Sequence, residues 1–512
     1  MSITAHVPNT FGRFDISERR VFPTVMLEQE ESSLTSAKGV EKKTVDWNMI
    51  IEWDRNYCFH IEKALSEWSP VPIAKCDGAY VIDANGNRLL DFLSGLISVN
   101  AGQRNPKIVE AIKDSLENYG YLWEFFTTPY KSEAAKIIVK DILGPDSWAG
   151  RVHFVGSGSE ANEEALQIAK LYTNRPYVIT REYSYHGWTE AAGACTRVRY
   201  WRGSLSSPNS NEYRPVPGFP ADGYYPAPAP FCYRCPYGYE GPEQCQVNGN
   251  VACLNELEHL ILSLGPENVA AVITELVCGG SLIVSPIEWV RGLRALTRKY
   301  GILLIDDEVM SGFARTGKWF CYQHYGITPD IMTTAKGIVS SHLPAAGVVV
   351  SREIADFFDK YRWWHAVTFS SHPVAMAAVV ANLQFMIDVD LPKRTEKSGL
   401  YLEKRLREIS PLHKSVGHVS GMGLFWGMEI VRNRETHEPF IKEDRDVTGA
   451  GDISKWPITV VQRKALEKGV LMGGLVPNCL RLGPALTVTE EEIDRAIDAL
   501  DYSLKPLDAE CA

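Results

Sequence analysis

No stretch of the 512-residue chain reaches the ~18 consecutive apolar residues of a membrane helix, so a helical membrane span is not expected. The first 45 residues carry scattered acids and bases and no apolar core segment, which excludes a secretory signal there. Positive charge is not in excess: 53 basic residues face 63 acidic ones, giving −10 and no bulk attraction to nucleic acid or anionic membrane. Internal repeats and low-complexity tracts are absent, which removes solenoids and fibres. Eleven cysteines, an odd number spread over a long chain, do not make a disulfide framework and read as reduced thiols, so a cytoplasmic protein is expected.

What remains is ordinary globular composition, 45% apolar and 23% charged, in a chain long enough to bury a large core. Residues 1–45 read as a polar extension. The mixed apolar and aromatic pattern from Asp46 to Trp68 predicts a helix. Residues 79–83 and 88–92, joined through Asn85-Gly86-Asn87, predict a hairpin. Short, nearly continuous apolar runs follow at 151–155, 177–180, 269–274, 302–305 and 347–350, with a helix at 159–172 among them. Buried parallel strands covered by helices on both faces have this pattern. The expected fold class is α/β. A large doubly wound, mostly parallel sheet domain spans 95–370, and a small α+β domain is built from 46–94 and 371–512. The segment 204–253, with eight prolines from Pro215 to Pro242, shows no period and is expected to be a structureless insertion.

Five features carry chemistry. Val155 to Glu160 places small residues and two serines between a strand and a helix, as a turn or an anion cradle requires. Tyr185-His186-Gly187-Trp188 follows the next strand, where an aromatic either packs in the core or stacks on a flat ligand. Asp306, Asp307 and Glu308 close an apolar strand, and an acid buried there is expected to need a cationic partner. Lys336 stands among small residues in Thr333-Thr334-Ala335-Lys336-Gly337. A polar turn, Thr368 to Pro373, leads into an alanine-rich helix. Cradle, aromatic, acid, lysine and a second phosphate donor together suit pyridoxal 5'-phosphate, which needs a lysine for its Schiff base and an acid on its ring nitrogen.

The order of these parts, the run from Asp307 to Gly317 and the lysine after it resemble class III aminotransferases of fold type I over roughly residues 50–505. Within the family the chain is most similar to taurine–pyruvate aminotransferases, through Leu171 to Pro176, Tyr185 to Thr189 and Gly317 to Gly326. The resemblance implies a ping-pong transfer of an amino group from a small ω-amino acid, taurine-like amine or other primary amine to a keto acid such as pyruvate. The alternatives are a decarboxylase or aminomutase on the same scaffold and a non-catalytic protein whose cysteine loop binds metal or a partner, against which the intact Lys336, Asp307 and Thr368 argue. Lys336 is implied as Schiff-base lysine and general base. Asp307 would keep the ring nitrogen protonated. Ser157, Gly158 and Ser159 would bind phosphate, and Tyr185, with His186 beside it, would lie against the ring. Glu275 is implied near the cofactor. Thr368 would reach the phosphate of the neighbouring subunit, so a homodimer with shared sites is expected. Arg481 would take the substrate carboxylate, and Trp123 and Ile97 would line the pocket. Three departures stand out. Gly280 occupies the place of the glutamate that pairs with the arginine in the 4-aminobutyrate branch, Ala314 replaces a glycine, and Ile97 stands where many relatives have tryptophan. Cys232 and Cys235 have the spacing of a metal knuckle, but Cys245 and Cys253 have seven residues between them, so no metal is expected.

Overall fold

The computed structural model describes residues 45–511, except 62–63, 199–200, 202–204, 207–212, 215–221, 248–249 and 443–455. The polar extension 1–45 thus lies almost wholly outside the described residues. The chain divides into two units, Met1–Ile50 and Ile51–Ala512. Every element below belongs to the second, except the first turn of the helix Trp47–Tyr57. That helix stops eleven residues short of the expected Trp68. Past it the Trp68 indole and the His60 imidazole both turn back onto Asp54.

A seven-stranded sheet organises the chain. Across it run Ala149–Val155, Ala346–Ser351, Ile331–Thr334, Leu303–Asp307, Val269–Thr274, Tyr177–Arg181 and Tyr224–Ala227. All neighbours are parallel except Ala346–Ser351, which is antiparallel to both of its own. The strands at 269–274 and 303–307 are buried at every position, because both faces are covered. Alternation along one strand shows it. Leu303 and Ile305 join Ala161, Ala165 and Ile168 of the helix Gly158–Thr173 in one core. Leu304 joins Trp289, Val290 and Leu293 of the helix Ile287–Lys299 in another.

The insertion is not structureless. It supplies Tyr224–Ala227, the sheet's edge strand, parallel to Tyr177–Arg181. Its Pro226 is tolerated because an edge strand leaves one row of backbone groups unpaired. Two smaller sheets carry the ends of the chain. Ile73–Asp77, Tyr80–Asp83 and Arg88–Asp91 form an antiparallel meander, and Val470–Leu471 adds parallel to its last strand. The expected Asn-Gly turn is present: Gly86 has φ +86°, and the Asp83 carboxylate accepts from the N–H groups of Asn85 and Asn87. Val416–Met422, Phe425–Asn433, Cys479–Leu482 and Gly473–Val476 form a second antiparallel sheet. The alanine-rich helix Pro373–Asp388 is buried along most of its length. Among the described residues no single helix is long and apolar enough to cross a membrane.

Candidate active site

Three parallel strands deliver the chemistry to one edge of the large sheet, where their carboxyl ends lie. Val269–Thr274 ends at Glu275, Leu303–Asp307 ends in its own acid, and Ile331–Thr334 ends two residues before Lys336. Asp307 shares a face with Leu303 and Ile305, towards the helix Gly158–Thr173. It is buried, and its Oδ2 accepts from Asn162 Nδ2 at 2.8 Å and pairs with His186 Nδ1 at 2.7 Å. Asn162 is fully engaged: it also donates to the His186 carbonyl, and its Oδ1 accepts from the Thr333 hydroxyl. The acid is therefore fixed from three elements. His186 Nε2 is buried and has no hydrogen-bond partner among the described residues.

Lys336 is mostly buried and has φ +48°, a left-handed conformation that costs a side-chain-bearing residue of order 1–3 kcal/mol. Burial, and then the charge of Arg481, lower its pKa to about 8 against the opposing pull of Asp307 and Glu275. The helix facing it starts at Gly158, with the Ser157 hydroxyl accepting from Glu160 N–H. The first-turn N–H groups of Gly158 and Ser159 have no intrahelical acceptor and form the anion-binding end of the helix. Closeness requires glycine here. A Cβ on Gly158 would lie 3.1 Å from both Val309 methyls, and one on Gly187 would lie 2.6 Å from Ser159 Oγ.

Glu275 is buried and binds backbone: Oε1 accepts from Tyr185 N–H at 3.0 Å and Oε2 from Gly279 N–H at 2.6 Å. It thereby fixes Tyr185 on one side and the turn below Arg481 on the other. Arg481, in the strand Cys479–Leu482, is buried and donates through Nη1 to the Gly279 carbonyl at 2.8 Å. Ile97 is buried against Gly483, two residues further on, with φ +55°. Trp123 and Thr368 are exposed.

Two side chains of the cluster were not singled out from the sequence. Asn162 carried a signal: a polar residue on the alanine-rich, core-facing stripe of its helix. Trp201, just before the segment 204–253, carried none. It meets Tyr185 edge-on at 5.2 Å, and the Arg481 guanidinium lies 5.9 Å from its ring centre.

The expectation that an acid buried at this strand end needs a cation is corrected for Asp306 and Glu308. Asp306 points to the opposite face from Asp307, and no ion pair forms at either residue among the described residues. Burial raises both carboxyls, Asp306 further through its neighbour Glu308 and Glu308 against its bonds from Ser311 and Tyr322, so a pull towards the neutral acid takes the place of a cation. Arg315 is the converse, a buried cation bound to the Leu424 and Pro484 carbonyls and Asn100 Oδ1, its pKa lowered by burial to about 9. Ala314 before it takes φ +71°, the conformation its usual glycine would adopt freely. Among the described residues no three His, Cys, Asp or Glu side chains are placed to hold a metal ion.

Residues 63–504 match the aminotransferase class-III family. The chain is a class III aminotransferase. It is similar in structure to an S-selective transaminase from Arthrobacter sp., at 45% identity and TM-score 0.86, over 91% of this chain and 99% of that one. It is 32% identical to the leucine/methionine racemase of Thermococcus litoralis, over 85% of this chain and 91% of that protein. It is 30% identical to the taurine–pyruvate aminotransferase of Bilophila wadsworthia, over 90% of this chain and 97% of that protein. The class III aminotransferase is an enzyme of fold type I that depends on pyridoxal phosphate. Its residues fit that group: an anion-binding helix end, a glycine floor, a buried acid held by histidine and asparagine, and a mostly buried lysine with no ion pair among the described residues.

Proposed function

We propose that this transaminase moves the amino group of a small ω-amino acid, a taurine-like amine or another primary amine to a keto acid such as pyruvate, as a homodimer. The observation that carries the reading is a buried arginine, Arg481, near enough to Lys336 for its charge to help lower that amine's pKa. A planar guanidinium suits a carboxylate and also accepts a sulfonate. Position 280 is glycine and brings no acid side chain of its own to the arginine.

When bound, pyridoxal phosphate supplies a carbonyl that condenses with amines and a ring that takes up the electrons of the broken C–H bond. The chain's own residues do the rest. Lys336 Nζ, with its pKa near 8, is neutral in a large fraction near that pH and takes and returns the proton at the reacting carbon. Asp307, held by His186 and Asn162, keeps the ring nitrogen protonated. Ser157, Gly158 and Ser159 would hold the phosphate, and Tyr185 would lie against the ring. Residues 95–370 supply these groups, and 46–94 with 371–512 contribute Arg481 and Ile97's neighbours.

Exposed aromatics support the dimer. Tyr121, Trp123, Phe125 and Phe126 stand on one segment and Trp364 and Phe369 on that of Thr368, with Tyr121 and Phe369 in edge contact, a concentration of apolar surface that a second copy would cover. In that assembly Thr368 reaches the partner's phosphate and Trp123 the partner's substrate pocket. The test is a donor panel of taurine, β-alanine, putrescine and 1-phenylethylamine against pyruvate and 2-oxoglutarate. Alanine formed in step with donor loss, without carbon dioxide, supports the reading. Carbon dioxide release, or racemisation without a keto acid, refutes it.

A further inference from the structure

Two surface turns are tied to one side chain. Phe126 N–H donates to the Trp123 carbonyl at 2.9 Å and closes a turn around Glu124 and Phe125. Ser370 N–H donates to the Val367 carbonyl at 3.2 Å and closes a second turn, with Thr368 and Phe369 exposed at its corner. His153, in the strand Ala149–Val155, reaches both turns. Its Nε2 lies 2.8 Å from Glu124 Oε1 and 3.0 Å from the Ser370 hydroxyl. Ser370 in turn donates to the Phe154 carbonyl, which also accepts from Ser371 N–H. On the other side of the ring Nδ1 lies 2.9 Å from Glu164, whose second oxygen pairs with His365 at 2.8 Å. Glu164 is buried on the helix Gly158–Thr173, whose first turn is the anion-binding end.

We propose that His153 is a positioning residue for the partner's active site: it fixes the two turns through which one subunit presents Trp123 and Thr368 to the other. The inference rests on the reading of a homodimer in which those two residues complete the neighbouring site. Thr368 sits at the corner of its turn, and a hydroxyl must come within about 3 Å of a phosphate oxygen to donate to it. A turn held at its base has already met the ordering cost of that contact, whereas a loose one meets it on binding. Hydrogen bonds between an imidazole and carboxylates are of the strong, charge-assisted kind, which suits a fastener between two strands of surface chain. A residue that only stiffened its own fold would harm the site of its own subunit. A residue that holds lent turns harms the site of the other.

The experiment uses holoenzyme hybrid dimers, isolated through a different affinity tag on each subunit. One subunit carries Lys336→Ala, so turnover reports only the intact site, which borrows its turns from the Lys336→Ala subunit. The readouts are the pyridoxal phosphate concentration that half-saturates turnover, the rate of cofactor release followed by the absorbance of the lysine-bound form, and hydrogen exchange of peptides over 121–126 and 366–371. Thr368→Ala in the Lys336→Ala subunit should raise the half-saturating concentration about 10- to 100-fold, the scale of a hydrogen bond to a charged group, which tests the dimer reading by itself. His153→Leu in that same subunit should raise it at least about 5-fold, a large part of the same hydrogen bond. It should also quicken cofactor release and speed exchange in both turns. Combined with Thr368→Ala it should add little further loss, because the two act through one contact. Placed in the intact subunit, His153→Leu should change the half-saturating concentration much less. Ser370→Ala, which leaves both glutamates paired with the imidazole, should reproduce part of the loss across the dimer, which keeps the test intact if His153→Leu folds poorly. If Thr368→Ala acts across the dimer but neither His153→Leu nor Ser370→Ala does, or if His153→Leu acts mainly on its own subunit's site, the proposal is overturned and the dimer reading stands. If Thr368→Ala has no effect across the dimer, the dimer reading falls and takes the proposal with it.

Discussion

His153 joins four elements, and its removal has a pH signature that can be worked out in advance. It lies in the strand Ala149–Val155. Its Nδ1 pairs with Glu164 of the helix Gly158–Thr173 at 2.9 Å, and its Nε2 pairs with Glu124 at 2.8 Å and the Ser370 hydroxyl at 3.0 Å. Glu164 also binds His365, and Glu124 lies 3.6 Å from Lys131. Burial alone would lower the imidazole pKa, but the hydrogen bonds and charges of the two glutamates outweigh it and raise it to about 9. From an ordinary 6.5, that corresponds to roughly 3 kcal/mol of preference for the charged form. Because the folded value is raised, the stabilisation is fully present below pH 6.5, fades by up to about 1.4 kcal/mol per pH unit, and is gone above about 9. The assay is thermal unfolding of wild type and His153→Gln between pH 6 and 10, with cofactor saturating and protein concentration fixed. At pH 6 the variant should melt some degrees lower, with about 1–2 °C per kcal/mol expected of so large a chain. By pH 10 the two curves should nearly meet. A difference that stays constant over that range would refute the assignment of a charged His153.

Other outcomes follow from the site. Lys336→Ala should still bind the cofactor through the phosphate end but complete no amino transfer; full activity in a coupled alanine assay would remove Lys336 from its role. Asp307→Asn should slow turnover by at least ~10²-fold, the scale of losing a preorganised charge partner, and a change of only a few-fold would mean another group holds the ring nitrogen. Asp306→Asn tests the acid pair. Its pKa is raised by burial, so any stability tied to the protonated acid is complete at low pH and lost as pH rises. The variant should therefore gain melting temperature relative to wild type at pH 8 and gain less at pH 5. An equal gain at both pH values would show that Asp306 does not titrate there.

Much of the fold was legible because buried parallel strands leave continuous apolar runs. The runs at 269–274 and 302–305 fell within a residue or two of the observed strands, since no other element of that length is apolar at every position. The edge strand Tyr224–Ala227 was not legible. It is half wet and contains Pro226, so neither apolar continuity nor alternation marks it. In the site, Asp307 and Lys336 were read from their order along the chain, and the sheet explains that order, because adjacent strands end at one edge. Trp201 was not read, since Tyr185 and Arg481 meet it only in the folded chain. The Asp306–Glu308 pair was misread because a sequence does not show which face of a strand an acid takes, nor that a proton can replace a cation.

The parallel pairing of Arg88–Asp91 with Val470–Leu471 has a consequence for synthesis on the ribosome. The partner strand emerges roughly 380 residues later, and at typical rates of elongation that is about 20–75 s. Throughout this wait the last strand of the N-terminal meander offers an unpaired edge, with Leu89, Leu90 and Phe92 lacking the neighbours that bury them in the finished chain. Arg315 waits as well, since two of its carbonyl acceptors, at Leu424 and Pro484, are made after it. The nascent aminotransferase thus carries an open strand edge and an unbound buried cation until almost its last helix is translated. Truncation before Val470 should therefore yield an aggregating chain rather than a folded large domain.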